Sequence, residues 1–314
     1  MSKRKITVIV PVYNEQAGIQ EFHSSLVAVL DQVAIEAEII YIDDGSIDES
    51  AARIQKIART DKRVHPLYLS KNFGKEIATT AGIHASNGDA ALILDADGQH
   101  PVELIPEFIR NWKEGYKVVI GVRRTNKNEG FIKKHGSTAF YKILRILGAP
   151  DVKPGSTDYR LIDREVIDAF KKLTEHNRVT RSLIDWLGFT RIYIEFDAKA
   201  RKHGEASYST RKLVKLAMNG FISLSFAPLY FSGYLGVFIT IMSFFAASLT
   251  VINKYILHDP LSLNITGTAT LAMFILFLVG ILMVGQGLLA LYIARIYTET
   301  QNRPLYIMRR DAKN

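Results

Sequence analysis

The chain contains no cysteine. That excludes a disulfide framework, a thiolate metal site and a thiol nucleophile. Neither GxGxxG nor GxxxxGKS occurs, so a dinucleotide fingerprint and a P-loop are both missing. Any bound phosphate must then be neutralised by basic side chains or a metal ion. Charge is missing locally as well. No Asp, Glu, Lys or Arg occurs from Leu216 to Asn253 or from Pro260 to Ala294. Each window exceeds the roughly 20 apolar residues that cross a bilayer, which predicts spans near Leu229–Ile252 and Thr268–Ala294. The opening residues, MSKRKITVIVPVYN, lack the apolar core of a secretory signal and run straight into a strand. The loop between the spans carries only Lys254, His258 and Asp259, whereas the tail carries Arg295, Arg303, Arg309, Arg310 and Lys313. The positive-inside rule then puts both termini in the cytoplasm. With 314 residues and a net charge of +9, the expectation is an integral inner- or plasma-membrane protein with a cytoplasmic head. Its expected parts are a head over 1–208, a juxtamembrane amphipathic helix over 209–226, two transmembrane helices over 227–296 and a tail over 297–314.

The stretch that organises the head is Leu92-Ile93-Leu94-Asp95-Ala96-Asp97-Gly98-Gln99-His100-Pro101. An apolar run ends in two carboxylates one residue apart, which reads as a buried parallel strand delivering Asp95 and Asp97 to the carboxyl edge of a sheet. Residues i and i+2 face the same way in extended chain. Two like charges that close need a cation between them, and a divalent ion that keeps waters and holds substrate phosphates suits the site.

Other strands are predicted at Ile6–Val12, Glu38–Ile42, Val64–Leu69 and Val118–Val122, with helices between them. This alternation means a doubly wound, mostly parallel α/β sheet. Strands one, two and four end in Tyr13/Glu15, Asp43/Asp44 and Asp95/Asp97, all at one edge. Tyr13 can stack on a base, and either Asp43 or Asp44 can accept a ring N–H. Phe131 to Leu147 alternates large apolar residues with Lys133, Lys134, Lys142 and Arg145, a pattern that suits an interfacial helix or a core-facing one equally. Asp158, in Gly155-Ser156-Thr157-Asp158-Tyr159-Arg160, is a candidate carboxylate. Phe189–Phe196 reads as an edge strand, and Pro304–Arg310 suits the lipid headgroup region.

Pro11-Val12-Tyr13-Asn14-Glu15, Asp43-Asp44-Gly45-Ser46, Asn72-Phe73-Gly74-Lys75 and Asp95–Pro101 resemble the inverting family 2 glycosyltransferases. Gly155–Arg160 and the Arg201…Gly204…Ser207-Tyr208 loop narrow the resemblance to polyprenyl-phosphate glycosyltransferases. Those are relatives of dolichyl-phosphate mannose synthase, and the two spans match the bactoprenol glucosyltransferase type. Lys133 stands where relatives often have Arg. The QxxRW of processive synthases is absent from Asn177–Trp186, which argues against a polymer product.

The resemblance implies a GT-A fold with Mg²⁺ or Mn²⁺ on Asp95, Asp97 and Gln99. It assigns Pro11, Tyr13, Glu15, Asp43, Asp44, Lys75, Asp95 and Ala96 to the nucleotide sugar. Arg123, Lys133, Ser137 and Arg201 fall where the family holds the acceptor phosphate, and Asp158 where it often has a catalytic base; Asp97 and Arg201 join Asp158 in the catalytic set. The implied reaction moves a sugar, UDP-glucose leading, onto undecaprenyl phosphate. Alternatives are a GDP-mannose or UDP-amino-sugar donor or, in another class, a non-catalytic sugar-nucleotide binder assisting lipid flipping. Expected partners are the nucleotide sugar, polyprenyl phosphate, the bilayer and further copies of the chain as a homo-oligomer (a tetramer), with no nucleic acid.

Overall fold

A computed structural model of the chain describes residues 4–124, 155–176, 178–197, 238 and 267–309. Strand β1 (Lys5–Val12) is buried from Ile6 onward, as its unbroken apolar run requires of a strand covered on both faces. It pairs in parallel with β2 (Glu36–Asp43) on one side and with β4 (Ala90–Ile93) on the other. β3 (Leu67–Tyr68) has only two residues and flanks β2 at the sheet edge. Beyond β4 come β6 (Ser156–Asp163), β5 (Val118–Arg123) and β7 (Arg191–Phe196), giving the order β3-β2-β1-β4-β6-β5-β7. Only β6 runs against the rest, antiparallel to both β4 and β5.

The two faces carry separate cores. Ile6, Val8 and Val10 point to one side, against α1 (Ile19–Leu30), α2 (Ser50–Thr60) and α4 (Ile105–Lys113). Ile9, Ile40 and Ile42 point to the other, against α3 (Lys75–Ala85), α5 (Arg164–Phe170) and α6 (Thr180–Trp186). This is the period-two alternation of a strand serving two helical layers. Each fully buried Ile or Leu contributes about 1.5–3 kcal/mol. Gly82 lets α3 approach closely, because a Cβ there would strike the side chains of Ile9 and Ile42.

The expected strands are all present. The third is cut from six residues to two, with Val64 kept as an isolated bridge to Ile39. The chain divides into two compact units, and residues from Arg303 onward group with the head. The tail segment lies on β3, where Leu69 and Met308 form an antiparallel bridge. An edge strand with unpaired N–H and C=O groups takes a partner where one is available.

The second unit contains α7, Gly267–Thr300, a helix of 34 residues that covers the second expected span. Its sequence carries no Asp, Glu, Lys or Arg before Arg295. Taken over the side chains described, however, no helix is long and apolar enough to cross a membrane. The first expected span lies outside the described residues apart from Phe238, as do Phe131–Leu147 and the juxtamembrane segment.

Candidate active site

All the described candidate residues lie at or beside one edge of the sheet. β1, β2, β4 and β5 end there. β6 begins there, because it runs the other way. Ile93 pairs with Arg160, so Asp158, two residues earlier on β6, sits level with Asp95, two residues beyond Ile93. Antiparallel insertion of β6 is thus what brings the 158 carboxylate to the DxD edge. Asp158 stands on a strand and not at a helix cap.

The loops after β1 and β2 are stapled to each other. The Asn14 N–H donates to Ser46 Oγ (3.0 Å), the Glu15 N–H to Ser50 Oγ (2.8 Å), and the Ile47 N–H to Asn14 Oδ1 (3.0 Å). Asn14 adopts a left-handed φ of 56°, a conformation that Asn tolerates better than most residues. Pro11 is buried on β1 opposite Ile42, and Tyr13, 43% exposed, opens the loop. Gly45 has φ 67°, and a Cβ on it would collide with the backbone of Lys71 and Asn72. The β2 loop therefore touches the β3–α3 connector backbone to backbone.

The two adjacent carboxylates of β2 do different things. Asp44 accepts the N–H groups of Phe73 (2.8 Å) and Gly74 (2.9 Å), one on each oxygen. Burial pushes its carboxyl up, against the pull of those two donors. Asp43 is fully buried; Oδ1 accepts the Ser46 N–H at 3.3 Å, and Oδ2 has no hydrogen-bond partner among the described residues. Asp44 thus organises backbone, and Asp43 keeps an unused acceptor.

At the centre is Lys75, the first residue of α3. Its Nζ lies 2.7 Å from Asp95 Oδ1 and 2.9 Å from Asp158 Oδ2. The three side chains are 43%, 24% and 29% exposed, so the cluster reaches solvent and is partly screened. Burial alone would raise the Asp158 carboxyl. The Lys75 ammonium, with help from Arg181 and Arg160, holds it below the usual carboxylate range. Lys75 itself is raised: burial opposes its charge, and the two carboxylates more than offset that. Glu76, next on α3, accepts the Thr180 N–H at 2.8 Å, and burial together with nearby Asp158 pushes its carboxyl up.

Asp97 Oδ1 accepts the Gln99 N–H at 3.0 Å, and Ala96 between the two aspartates is buried. His100 Nδ1 accepts the Asp95 N–H at 3.1 Å, which places the ring proton on Nε2 in the neutral form. Burial lowers the His100 pKa, against the pull of Asp95. The ring is stacked on Tyr159 at 5.0 Å. Among the described residues, no group of three or more His, Asp or Glu side chains converges as a metal site. Two carboxylate oxygen donors nevertheless suit a hard divalent cation, whose remaining positions are filled by water and substrate phosphates.

Sequence reasoning missed Arg160 and Asp185. Arg160 is 1% exposed, and its guanidinium meets Asp185 at 2.8 and 3.3 Å, Thr157 O, Arg181 O and Ser156 Oγ. Every edge of the guanidinium is occupied, so it braces the start of β6 and with it Asp158. Glu76 and His100 went unassigned as well, although His100 stood inside the DxDGQHP motif. Arg123 is exposed at the end of β5. Lys133, Ser137 and Arg201 lie outside the described residues.

The profile of Glycosyl transferase family 2 matches residues 7–170, which run from Thr7 of β1 through β6 and include every carboxylate named at the edge. The chain belongs to this family. It is 37% identical over 304 residues to an uncharacterized glycosyltransferase of Bacillus subtilis (strain 168), covering 97% of this chain and 93% of that one. It is 34% identical over 306 residues to the SfII prophage-derived bactoprenol glucosyl transferase of Shigella flexneri, covering 98% of each. A solved structure, mannosyl-3-phosphoglycerate synthase from Rubrobacter xylanophilus, overlays with a TM-score of 0.51 at 14% identity, over 69% of this chain and 71% of that one; this likeness shows the fold.

Proposed function

We propose that the protein is a membrane-anchored, inverting glycosyltransferase that transfers one hexosyl group from a nucleotide sugar, UDP-glucose first, to the phosphate of undecaprenyl phosphate. The observation that carries this reading is Lys75 bridging Asp95 and Asp158 at the sheet edge. It joins the donor-side and acceptor-side carboxylates of a chain similar over its length to a bactoprenol glucosyl transferase. The two charge-free windows of the sequence support anchoring, with the head and both termini cytoplasmic. Gly280, Gly285 and Gly287 beside Gln286 support close helix association in a homo-oligomer, a tetramer by the family resemblance.

In this mechanism Tyr13 stacks on the base, and the unused Oδ2 of Asp43 accepts its ring N–H. The stapled 13–16 and 43–50 loops form that pocket before the donor arrives. Asp95 and Asp97, with Gln99, would hold Mg²⁺ or Mn²⁺, which supplies Lewis-acid neutralisation of the departing diphosphate. A phosphate oxygen of the acceptor bonds to the anomeric carbon as the bond to the diphosphate oxygen breaks, which inverts configuration. A phosphate monoester has a second pKa of about 6 and is already mostly dianionic at neutral pH. Asp158, kept ionised by Lys75, therefore orients the acceptor and its counter-cations and has no proton that it must remove. Arg123, Lys133, Ser137 and Arg201 bind the acceptor phosphate and screen it from the donor.

The test incubates the full chain in detergent with undecaprenyl phosphate and a panel of UDP- and GDP-sugars. The expected result is a lipid-linked monosaccharide with UDP released, abolished in Asp97→Ala while the fold is retained. Absence of turnover with every donor would overturn the reading, and full activity of Asp97→Ala in EDTA would overturn its metal site.

A further inference from the structure

β3 is the outermost strand of the sheet and has only two residues, too few to hold a connector in place alone. The chain's own C-terminal segment completes it. The Ser70 N–H donates to Ile307 O at 2.9 Å and the Arg309 N–H to Tyr68 O at 2.7 Å, on either side of the Leu69–Met308 bridge. The Arg309 guanidinium lies over the Tyr68 ring at 5.3 Å. Further back, His176 Nε2 meets the Arg303 carbonyl oxygen at 2.6 Å. Between these points Tyr306 is half-buried against the core layer of Leu69, Ala78, Ala81 and Phe170, with its ring 6.2 Å from that of His84.

These contacts grip both ends of one functional stretch. Ser70 begins the connector from β3 to α3, and His84 sits in the last turn of α3. Between them lie the Phe73 and Gly74 amides held by Asp44, and Lys75, which bridges Asp95 and Asp158. Gly45 touches the connector's backbone from the opposite side. With Asp44 and Gly45 on one flank and residues 306–309 on the other, the connector is clamped.

We propose that residues Arg303–Arg309 form a strap that positions the β3–α3 connector, with Tyr306 as its anchor, and so fixes Lys75 in the donor site. Tyr306 is a positioning residue acting through Ser70 and α3; it touches neither donor nor acceptor. Only the kinetic consequence rests on the proposed function.

The test compares the full chain in detergent with Tyr306→Ala, Tyr306→Phe, Arg309→Pro and Arg309→Ala. Arg309→Pro deletes the N–H that bonds Tyr68, whereas Arg309→Ala retains it. In Tyr306→Ala and Arg309→Pro, amide exchange at Ser70, Phe73 and Gly74 should rise on the order of tenfold, with β1 and β4 unchanged. The KM for UDP-glucose should rise roughly five- to twentyfold, with the KM for undecaprenyl phosphate unmoved. Tyr306→Phe should match wild type, and Arg309→Ala should lie close to it. Unchanged exchange at 70–74 would overturn the strap. So would a rise spread evenly over the head, which marks a plain stability element, or a local rise with donor KM unaltered. If wild type turns over no nucleotide sugar, the function proposed above fails, while the exchange pattern still decides the strap.

Discussion

Two residues apart on β6, Asp158 and Arg160 belong to two ion clusters built from the same chemistry under different conditions. The Lys75–Asp95–Asp158 cluster is a point-charge ammonium between two carboxylates, and each side chain is more than a fifth exposed. The Arg160–Asp185 pair is a two-pronged guanidinium–carboxylate contact with side chains 1% and 3% exposed, and Arg191 lies 3.7 Å from the same carboxylate. A guanidinium offers a rigid fork that satisfies a buried carboxylate, whereas an ammonium on a flexible stem exchanges partners readily. The inner pair is therefore scaffold. The outer cluster can rearrange when substrate brings new charges. The clusters are coupled, because Arg160 bonds Ser156 and Thr157 at the strand start that carries Asp158.

The sharpest way to break this comparison is to remove the inner carboxylate. Asp185→Ala leaves a buried guanidinium without its partner, and breaking such a pair costs about 3–5 kcal/mol. Urea unfolding of the variant should show a loss in that range. A change below about 1 kcal/mol would mean that water and the Thr157 and Arg181 carbonyls already satisfy the guanidinium, and the scaffold assignment would fall.

Removing the outer cation should do the reverse. Lys75→Ala deletes a partly screened ammonium, so stability should change by no more than about 1 kcal/mol. Two carboxylates would then face the donor diphosphate uncompensated, and kcat/KM should fall on the order of 10²–10³, the usual cost of removing one preorganised charge-stabilising group. Steady-state kinetics and urea unfolding on one preparation separate the two effects. A large stability loss with a small kinetic one would invert the assignment of the clusters.

The sequence made the outer cluster visible and hid the inner one, for a physical reason. Asp95 ends an apolar run, which period and composition show locally, while Lys75 and the role of Asp158 were visible through the family resemblance. Arg160 stands in Thr157-Asp158-Tyr159-Arg160-Leu161 and reads like a surface cation. Its burial follows from Asp185, 25 residues away, and from the reversed direction of β6, which no local pattern encodes. The choice between Asp43 and Asp44 was equally closed, since it depends on the Phe73 and Gly74 amides of another loop. The pairing of the tail with β3 was closed as well, because an apolar stretch ending in arginines suits a membrane surface as well as it suits the edge of a sheet. β1, β2, β4 and β5 were legible because strands buried on both faces carry apolar runs bounded by polar residues.

The finest test asks whether Lys75 is what keeps Asp158 charged. In wild type the folded carboxyl lies below its ordinary value, because Lys75 outweighs the burial that would raise it. A depressed folded pKa contributes stability that is fully present above the unfolded carboxylate value of about 4 and lost as pH falls through the folded value. In Lys75→Ala burial loses its main opponent, so the folded pKa rises. Asp158 then contributes less at neutral pH, or opposes folding, and that deficit is relieved as the carboxyl takes up its proton. The gap in unfolding free energy between wild type and Lys75→Ala should therefore be widest near pH 7 and narrow towards about pH 3. Urea midpoints across that range, on the full chain in detergent with EDTA present, measure it. A pH-independent gap would assign the depressed Asp158 carboxyl to Arg181 and Arg160, and Lys75 would then serve Asp95 alone.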